Sequence, residues 1–392
     1  MNLVLADRMS RLGTETAFQV GMKIASLEAQ GKKIVKLHIG QPDFPTPENV
    51  KQAAVNAINA NKTGYTTSNG TLAIRNAVAD YVLKTRGVPV DPEEVIVMPG
   101  GKPVMFAAAF TLLDSSTEAI VPDPSYPIYE SASKVMGAVV KPLPILEEKG
   151  FSFDHEVFKH LVSNKTKLVF VNTPANPTGG VLSKEDLKLV RDLAVEKNFW
   201  VLSDEIYSRI VYDGKHESIL NMDGMKERTI LLDGWSKTYS MTGWRLGYGV
   251  MPKELASHFA TAAINMYSCV TNFCQDGGIE ALTGPQDDVD KMVKTFKERR
   301  DFIVKGLNEI EGVSCIMPKG AFYAFPNVKK ICAKSGKNSK QLESYLLENG
   351  LACLAGSAFG SFGEGYLRFS YAASKEDIAA GLEIMRSAFE KL

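Results

Sequence analysis

The sequence contains little cysteine, little histidine and no excess of charge of either sign. Its five cysteines form no CxxC pair and its five histidines are scattered singly, so neither a disulfide framework nor a metal site is expected. Forty-five Lys and Arg balance 45 Asp and Glu, which leaves no overall field to attract nucleic acid or an anionic membrane. The longest strongly apolar run, residues 105–113, is about half the length that a membrane span requires. Asp7 and Arg8 also interrupt the region where a signal peptide would be apolar, and a cytoplasmic protein is therefore predicted.

The length of 392 residues predicts about two to three domains at roughly 150 residues each. From about residue 90, short apolar runs alternate with segments of helical period, a pattern typical of a mainly parallel sheet with helices on its faces. Residues 183–197 are one such helix, because Ser183 followed by Asp186 resembles a capping box. The candidate strands are residues 95–98, 118–121, 167–171, 199–202, 229–232 and 246–250.

The pattern changes beyond about residue 286. A long charged helix over 287–310 is followed by short strands and helices, which favours a separate α+β domain. The lone early strand 34–39 is expected to join this domain. Its other predicted elements are a strand at 321–325, a helix at 339–349, a strand at 366–371 and a final helix.

Two glycine-containing segments have the composition of ligand-binding loops. Gly100 and Gly101 lie between a strand and a helix, where the backbone can approach an anion and present free N–H groups to it. A plain strand-to-helix turn explains this segment equally well, and its spacing is neither that of a Walker loop nor that of a GxGxxG dinucleotide site. In the loop 171–180, Asn176 either presents its amide to a ligand or caps backbone groups.

Several charged residues lie in or directly after apolar strands. Asp204 ends such a strand and needs a dedicated partner, either a ligand that Tyr207 also reaches or a structural ion pair. Lys237 follows a buried strand among aromatic and small residues, which lowers an amine pKa toward nucleophilic use. Arg245 suits an anion such as a phosphate and Arg368 suits a carboxylate, with internal salt bridges as the alternative.

Together these segments resemble the class I/II aminotransferases among the fold-type I pyridoxal-phosphate-dependent enzymes, and within them the aspartate-aminotransferase-like branch. The resemblance covers nearly the whole chain, and its motifs occur in the order of the family. They are Ile-Gly-Gln-Pro-Asp-Phe-Pro-Thr-Pro at 39–47, Gly64-Tyr65, Gly100-Gly101-Lys102, Pro124-Ser-Tyr126, Asn176-Pro-Thr-Gly179, Asp204 with Tyr207, Ser236-Lys237, Gly243-Trp-Arg245 and Arg368.

The resemblance implies an α/β fold with a discontinuous division into domains. A large cofactor-binding domain, residues 46–285, would contain a mostly parallel seven-stranded sheet sandwiched by helices. Residues 1–45 and 286–392 would form the smaller α+β domain. The family also implies a homodimer with shared active sites, and cis peptide bonds at Asp123–Pro124 and Asn176–Pro177.

The resemblance also implies pyridoxal 5′-phosphate as the cofactor and three catalytic residues. Lys237 would form the Schiff base and move the Cα proton, Asp204 would pair with the ring nitrogen, and Tyr207 would hydrogen-bond the phenolate oxygen. The other cofactor-binding residues would be Gly100, Gly101, Lys102, Tyr126, Asn176, Ser236, Arg245 and, from the partner subunit, Tyr65. The substrate carboxylate would be held by Arg368, Asn176 and Gly40.

The implied reaction moves the amino group of an L-amino acid, aspartate-like or broad-range, to a 2-oxo acid such as 2-oxoglutarate by a ping-pong mechanism. A carbon–sulfur β-lyase, an aminotransferase for alanine or aromatic amino acids, and a non-catalytic binding module are the alternatives. Relatives that bind dicarboxylic substrates resemble Pro-Ser-x-Thr where this sequence has Gly13-Thr-Glu-Thr. If Glu15 faces the pocket, its charge would repel an aspartate side chain.

Overall fold

The computed structural model describes residues 4–392, and this part of the chain contains thirteen strands and fourteen α-helices. The strands are β1 (Val35–Lys36), β2 (Val95–Met98), β3 (Glu118–Asp123), β4 (Val139–Leu146), β5 (Ser152–Phe153), β6 (Thr166–Asn172), β7 (Trp200–Asp204), β8 (Thr229–Gly234), β9 (Gly247–Val250), β10 (Tyr323–Ala324), β11 (Leu351–Ala352), β12 (Leu354–Ala355) and β13 (Leu367–Ser370). The helices are α1 (Thr16–Ala29), α2 (Glu48–Asn59), α3 (Leu72–Arg86), α4 (Gly101–Leu112), α5 (Ile128–Val135), α6 (His155–Leu161), α7 (Lys184–Lys197), α8 (Trp235–Thr238), α9 (Lys253–Met266), α10 (Asn272–Thr283), α11 (Asp287–Asn308), α12 (Lys329–Ser335), α13 (Ser339–Glu348) and α14 (Lys375–Glu390).

The central sheet has eight strands in the order β2-β9-β8-β7-β6-β3-β4-β5. The five strands from β8 to β4 are parallel, whereas β9 is antiparallel to both of its neighbours and β5 is antiparallel to β4. All six strands predicted from the sequence are present, and the expectation of a mostly parallel sheet is confirmed. The eighth strand is the two-residue edge strand β5, which extends the expected seven.

The register of the sheet places three strand ends side by side. Asn172 at the end of β6 is paired with Asp204 at the end of β7, and Asp204 is paired with Leu232 in β8. These strands are almost wholly buried and apolar in their middle parts, as expected for parallel strands covered by helices on both faces. The loops and the short helix that follow them therefore open at one edge of the sheet, where open α/β folds bind ligands.

The two ends of the chain meet in smaller sheets. Strand β1 pairs in parallel with β11, and β13 lies between β10 and β12 in an antiparallel sheet. Leu37 and residues of α11, α13 and α14 belong to one buried cluster, which also includes Tyr207 and Ile210 from beyond β7. The pairing of β1 with a C-terminal strand agrees with the expected discontinuous domain, whose boundaries at residues 45 and 286 stay a prediction.

Three local features that the sequence indicated are present. Helix α7 begins after Ser183, whose hydroxyl accepts a hydrogen bond from Asp186 N while the Asp186 carboxylate accepts one from Ser183 N. The bonds Asp123–Pro124 and Asn176–Pro177 are cis, and so is Thr173–Pro174, which was not expected. No helix in residues 4–392 is long and apolar enough to cross a membrane; the cytoplasmic location stays a prediction.

Candidate active site

A cavity of about 580 Å³ opens at the carboxyl ends of β6, β7 and β8. Most of the residues singled out in the sequence line it, although they come from segments as distant as residues 40 and 368. The predicted site residues that line this cavity are Gly40, Gly101, Lys102, Tyr126, Asn176, Asp204, Tyr207, Ser236, Lys237, Arg245 and Arg368.

Lys237 projects into the cavity from α8, the short helix that follows β8 directly and also carries Ser236. Its Nζ donates a hydrogen bond to the carbonyl of Gly40 at 2.5 Å. Burial lowers the pKa of Lys237 to about 8, and the positive charge of Arg368 acts in the same direction. A neutral amine is the nucleophilic form, so Lys237 is a much better nucleophile near neutral pH than a solvated lysine.

Asp204 lies at the end of β7 and is 2% exposed. One carboxylate oxygen accepts a hydrogen bond from the hydroxyl of Tyr129 at 2.6 Å, and the other accepts one from Ile206 N at 3.1 Å. No cation within the described residues forms an ion pair with it, and burial raises the pKa of Asp204 to about 6. A buried carboxylate in this state favours a cationic ligand group. Tyr207, also buried, shares a hydrogen bond of 2.7 Å with the hydroxyl of Tyr323.

Gly101 and Lys102 form one wall of a part of the cavity that is suited to bind an anion, the anion cup. Helix α4 begins at Gly101, so its first N–H groups are available to an anion. Arg245 is held across from them by hydrogen bonds to the carbonyls of Thr242 at 2.7 Å and Pro99 at 3.1 Å. A Cβ at Gly100, where φ is +95°, would stand 2.3 Å from Arg245 Nη2. Gly100 therefore backs the arginine instead of lining the cavity, and a side chain at this position would displace the guanidinium.

Arg368 extends from β13 and is 4% exposed. Its Nη1 donates to the side-chain oxygen of Asn176 at 2.9 Å and its Nη2 donates to the carbonyl of His38 at 2.6 Å. The rings of Tyr323 and Phe359 lie 4.5 and 4.7 Å from the guanidinium carbon. Burial lowers the pKa of Arg368, and among residues 4–392 its Nε has no hydrogen-bond partner. A buried guanidinium without a carboxylate partner is suited to bind one from a ligand.

Tyr129, Asn172, Gln41 and Tyr323 are among the cavity residues that were not predicted as site residues. Asn172 fixes the loop that carries Asn176, because it accepts a hydrogen bond from Asn176 N and donates to the carbonyl of Asp204. A Cβ at Gly40 would lie 2.0 Å from the hydroxyl of Tyr323. Only glycine therefore allows the backbone at residue 40 to approach Tyr323 this closely. Asn172 ends a strand already identified and could have been inferred from its position. The tyrosines carry no local signal that separates them from core residues.

Of the two remaining residues that the sequence singled out, Glu15 lies at the cavity and Tyr65 lies outside it. Glu15, whose orientation the sequence left open, faces the cavity, where it accepts a hydrogen bond from the hydroxyl of Tyr126. Tyr65 does not line the cavity and is 92% exposed. The expected contact of Tyr65 with the phosphate in a partner subunit's site stays a prediction.

The residues of the cavity fit pyridoxal phosphate by their chemistry. The cofactor carries a basic ring nitrogen, an aldehyde and a phosphate, which match a carboxylate, an amine and an anion cup. Asp204 is a buried carboxylate without an ion pair, Lys237 supplies an amine of lowered pKa, and Gly101 with Arg245 forms the cup. Each polar part of the cofactor therefore has a complementary group in the cavity: Asp204 for the ring nitrogen, Lys237 for the aldehyde and the anion cup for the phosphate.

Comparisons with known proteins agree with this geometry. The family "Aminotransferase class I and II" matches residues 32–384. The probable aspartate/prephenate aminotransferase of Aquifex aeolicus is 37% identical over 99% of both chains, and aromatic-amino-acid aminotransferase 2 of Thermococcus litoralis is 36% identical over 93% of this chain and 94% of its own. The solved aspartate aminotransferase of Rhizobium meliloti superposes over 100% of both chains, with a TM-score of 0.95 at 33% identity.

Matches of this extent include the whole cavity and both ends of the chain. The amino-acid and 2-oxo-acid substrates and the cofactor follow from the family, and the resemblance seen in the sequence is confirmed. The chain belongs to the class I and II aminotransferases, in the aspartate-aminotransferase-like branch, and is a pyridoxal-phosphate-dependent aminotransferase.

Proposed function

We propose that the cavity transfers the amino group of an L-amino acid, aspartate-like or broad-range, to a 2-oxo acid such as 2-oxoglutarate, with Lys237 as the catalytic base. The observation that carries this proposal is the position of Lys237, whose amine of lowered pKa shares one cavity with Asp204 and Arg368. Bound pyridoxal phosphate supplies an electron-accepting ring that makes the substrate's Cα proton removable. Lys237 Nζ would take this proton from the substrate's Cα and deliver it to C4′ of the cofactor.

The cofactor is oriented by groups at opposite ends of the cavity. Asp204 keeps the ring nitrogen protonated, and Tyr129 fixes the carboxylate for this task through its 2.6 Å hydrogen bond. Tyr207 and Asn176 bind the phenolate oxygen, and Tyr126 covers one face of the ring. The phosphate is held by Gly101, Lys102, Ser236 and Arg245, with Gly100 supporting the arginine.

Arg368 binds the α-carboxylate of the substrate, together with Asn176 and the backbone at Gly40. Its hydrogen bonds to Asn176 and to the carbonyl of His38 hold the guanidinium in place before substrate arrives. A bidentate contact to a fixed guanidinium also sets the orientation of the Cα–H bond toward Lys237. The residues thus select proton loss over loss of the carboxylate.

We further propose two domains, residues 46–285 and residues 1–45 with 286–392, and a homodimer in which Tyr65 reaches the partner's phosphate cup. Tyr65 is exposed here, as are the apolar side chains of Leu72, Phe110, Ile264 and Met266. Exposed aromatic and apolar side chains of this kind are enriched at interfaces. Sedimentation equilibrium of the holoenzyme should give twice the 42.8-kDa chain mass. A monomer that retains full activity would contradict the shared site.

Single-turnover reactions test the proposed function. The holoenzyme is mixed with aspartate, glutamate, alanine, methionine or tyrosine in turn, without an oxo acid. Transamination converts the cofactor to its pyridoxamine form and releases one equivalent of the matching 2-oxo acid. A β-lyase, given cystathionine, which carries a sulfur leaving group on Cβ, would instead release pyruvate, ammonia and a thiol repeatedly. Lys237→Ala should lose about a thousandfold or more of this rate. The control Lys188→Ala, at an exposed position of α7, should match the unmodified chain. Full turnover by Lys237→Ala would rule out the assignment.

A further inference from the structure

Glu15 forms an ion pair inside the cavity. Its Oε1 lies 2.5 Å from Lys102 Nζ, and the same oxygen accepts the hydrogen bond from Tyr126. The Glu15 side chain is only 15% exposed, whereas that of Lys102 is 40% exposed. The glutamate is therefore the more enclosed partner, while the lysine lies at the cavity opening.

The backbone holds Glu15 in this position. The preceding segment is fixed to α5 by a hydrogen bond of 2.9 Å from Gly13 N to Ser131 Oγ and one of 3.1 Å from the Arg11 side chain to the carbonyl of Lys134. Glu15 occupies the N-cap position of α1, yet its side chain makes no capping hydrogen bond. The carboxylate is thus directed to the cavity and not to its own helix, although it still lies at the favourable positive end of that helix.

The charges around the cavity give this carboxylate a specific role. Four cations line it, namely Lys102, Lys237, Arg245 and Arg368, against the two carboxylates of Glu15 and Asp204. Lys237, Arg245 and Arg368 are committed to the base, the phosphate and the α-carboxylate in the proposed function. Lys102, which the proposed function places beside the phosphate, is the remaining cation and could also meet a second carboxylate on a substrate side chain. Glu15 already neutralises it.

We propose that Glu15 occupies the place of a substrate's second carboxylate beside Lys102, and so shifts selectivity from dicarboxylic amino acids toward those with uncharged side chains. This inference rests on the proposed function and names a residue that sets its substrate class. A substrate with an uncharged side chain leaves the Glu15–Lys102 pair intact. Aspartate or glutamate binds only when Glu15 gives up that contact, or binds against its charge.

The test compares Glu15→Gln with the unmodified chain by two measurements. The first is the ratio of kcat/KM for aspartate to kcat/KM for phenylalanine, which should rise by about tenfold as the competing charge is removed. The second is binding to the holoenzyme by calorimetry, in which the dicarboxylate succinate should bind about tenfold more tightly and 3-phenylpropanoate about equally. Glu15→Ala provides a second route if Glu15→Gln folds poorly.

Two further variants make the test specific. The double variant Glu15→Gln with Lys102→Met should lose the gain in succinate affinity that Glu15→Gln alone shows, because the cation for which the carboxylates compete is absent. Glu118→Gln removes a partly buried glutamate that pairs with Lys141 elsewhere in the sheet, and should leave both ratios unchanged. Normal transamination with unchanged ratios in Glu15→Gln, or a double variant that keeps the full gain in succinate affinity, would overturn this inference alone. Failure of the unmodified chain to transaminate would instead contradict the proposed function.

Discussion

Two groups of buried charges lie on either side of the ends of β7 and β8, and they are satisfied in opposite ways. Asp204 faces the cavity, and the next residue, Glu205, faces a cluster that we call the Arg86 network. Its members are Arg86, Ser203, Glu205, Ser208, His216, Ser218 and Asp233. The last residue of β7 and the residue that follows it thus place carboxylates in two different environments.

In the Arg86 network every carboxylate has donors from the chain itself. Arg86 contacts Glu205 at 3.1 Å and Asp233 at 2.6 Å, and Glu205 also accepts hydrogen bonds from His216, Ser203 and Ser218. Burial alone would raise the pKa of Glu205, but the charges of His216 and Arg86 hold it at about 2. Asp204 has no such cation, and its pKa is raised to about 6.

The difference separates structural charge from functional charge. A buried ion whose partners are all in the chain contributes to the fold and offers nothing to a ligand. A buried ion without an opposite charge costs stability until a ligand supplies the partner. By this criterion we propose Asp204, Lys237 and Arg368 as ligand-binding groups, whereas the ion pairs of Arg86 with Glu205 and Asp233 join α3 to β8 and to the segment that follows β7.

The sharpest test of this comparison replaces the two neighbouring carboxylates separately. Glu205→Gln should lower the free energy of unfolding by about 3–5 kcal/mol, because it breaks a buried charge network and leaves donors without an acceptor. Asp204→Asn should change that free energy by less than about 1 kcal/mol but lower kcat/KM by about a hundredfold or more. Urea unfolding of the apoproteins and steady-state kinetics of the holoenzymes provide the two measurements.

The unfolding experiment should be run near pH 7. Because the folded-state pKa of Glu205 is depressed from 4.5 to about 2, its stabilisation is fully present above pH 4.5 and is lost as the pH falls through 2. Ser203→Ala, which removes a single donor of Glu205, is a milder control and should cost about 1 kcal/mol. The comparison breaks down if Asp204→Asn is the more destabilised variant, or if Glu205→Gln loses activity with unchanged stability.

A smaller effect is expected in the pH dependence of cofactor binding. The apoprotein should capture pyridoxal phosphate at a rate that rises about tenfold per pH unit up to pH 8 and then levels off, because only the neutral Lys237 amine attacks and burial lowers its pKa to about 8 from 10.5. Stopped-flow absorbance between pH 6 and 10 measures this rate. A rate that still climbs tenfold per unit at pH 9.5 would show that the cavity does not desolvate the amine.

The sequence predicted the interior of the sheet better than the edge formed by β4 and β5. Apolar runs identified β3, β6, β7 and β8 because these strands are buried on both faces. Strand β4 was missed, since its Val-Val-Lys-Pro-Leu-Pro-Ile-Leu sequence contains two prolines and a lysine and is only partly buried. The predicted strand at 34–39 contracts to two residues, because only that length finds a partner in β11.

Site residues could be predicted from the sequence where a reactive polar side chain directly follows an apolar strand. Asp204 and Lys237 are polar residues placed directly after apolar strands, which is a local signal, and the family motifs supplied the rest. Tyr129 and Tyr323 were not found because an aromatic residue on a buried helix or strand is far more often core than site. The orientation of Glu15 could not be predicted from the sequence, because it depends on how the segment before α1 lies against α5.

The register of β7 against its neighbouring strands limits which sequence changes β7 can tolerate. Side chains alternate along an extended chain, so a slip of β7 by one residue would exchange the directions in which Asp204, its last residue, and Glu205, the residue that follows it, point. The carboxylate with a full set of partners would then face the ligand, and the one without them would face Arg86. Insertions within β7 are therefore excluded even where the added residue is apolar and would fit the core. Sequence variation in this strand must proceed by substitution at constant length.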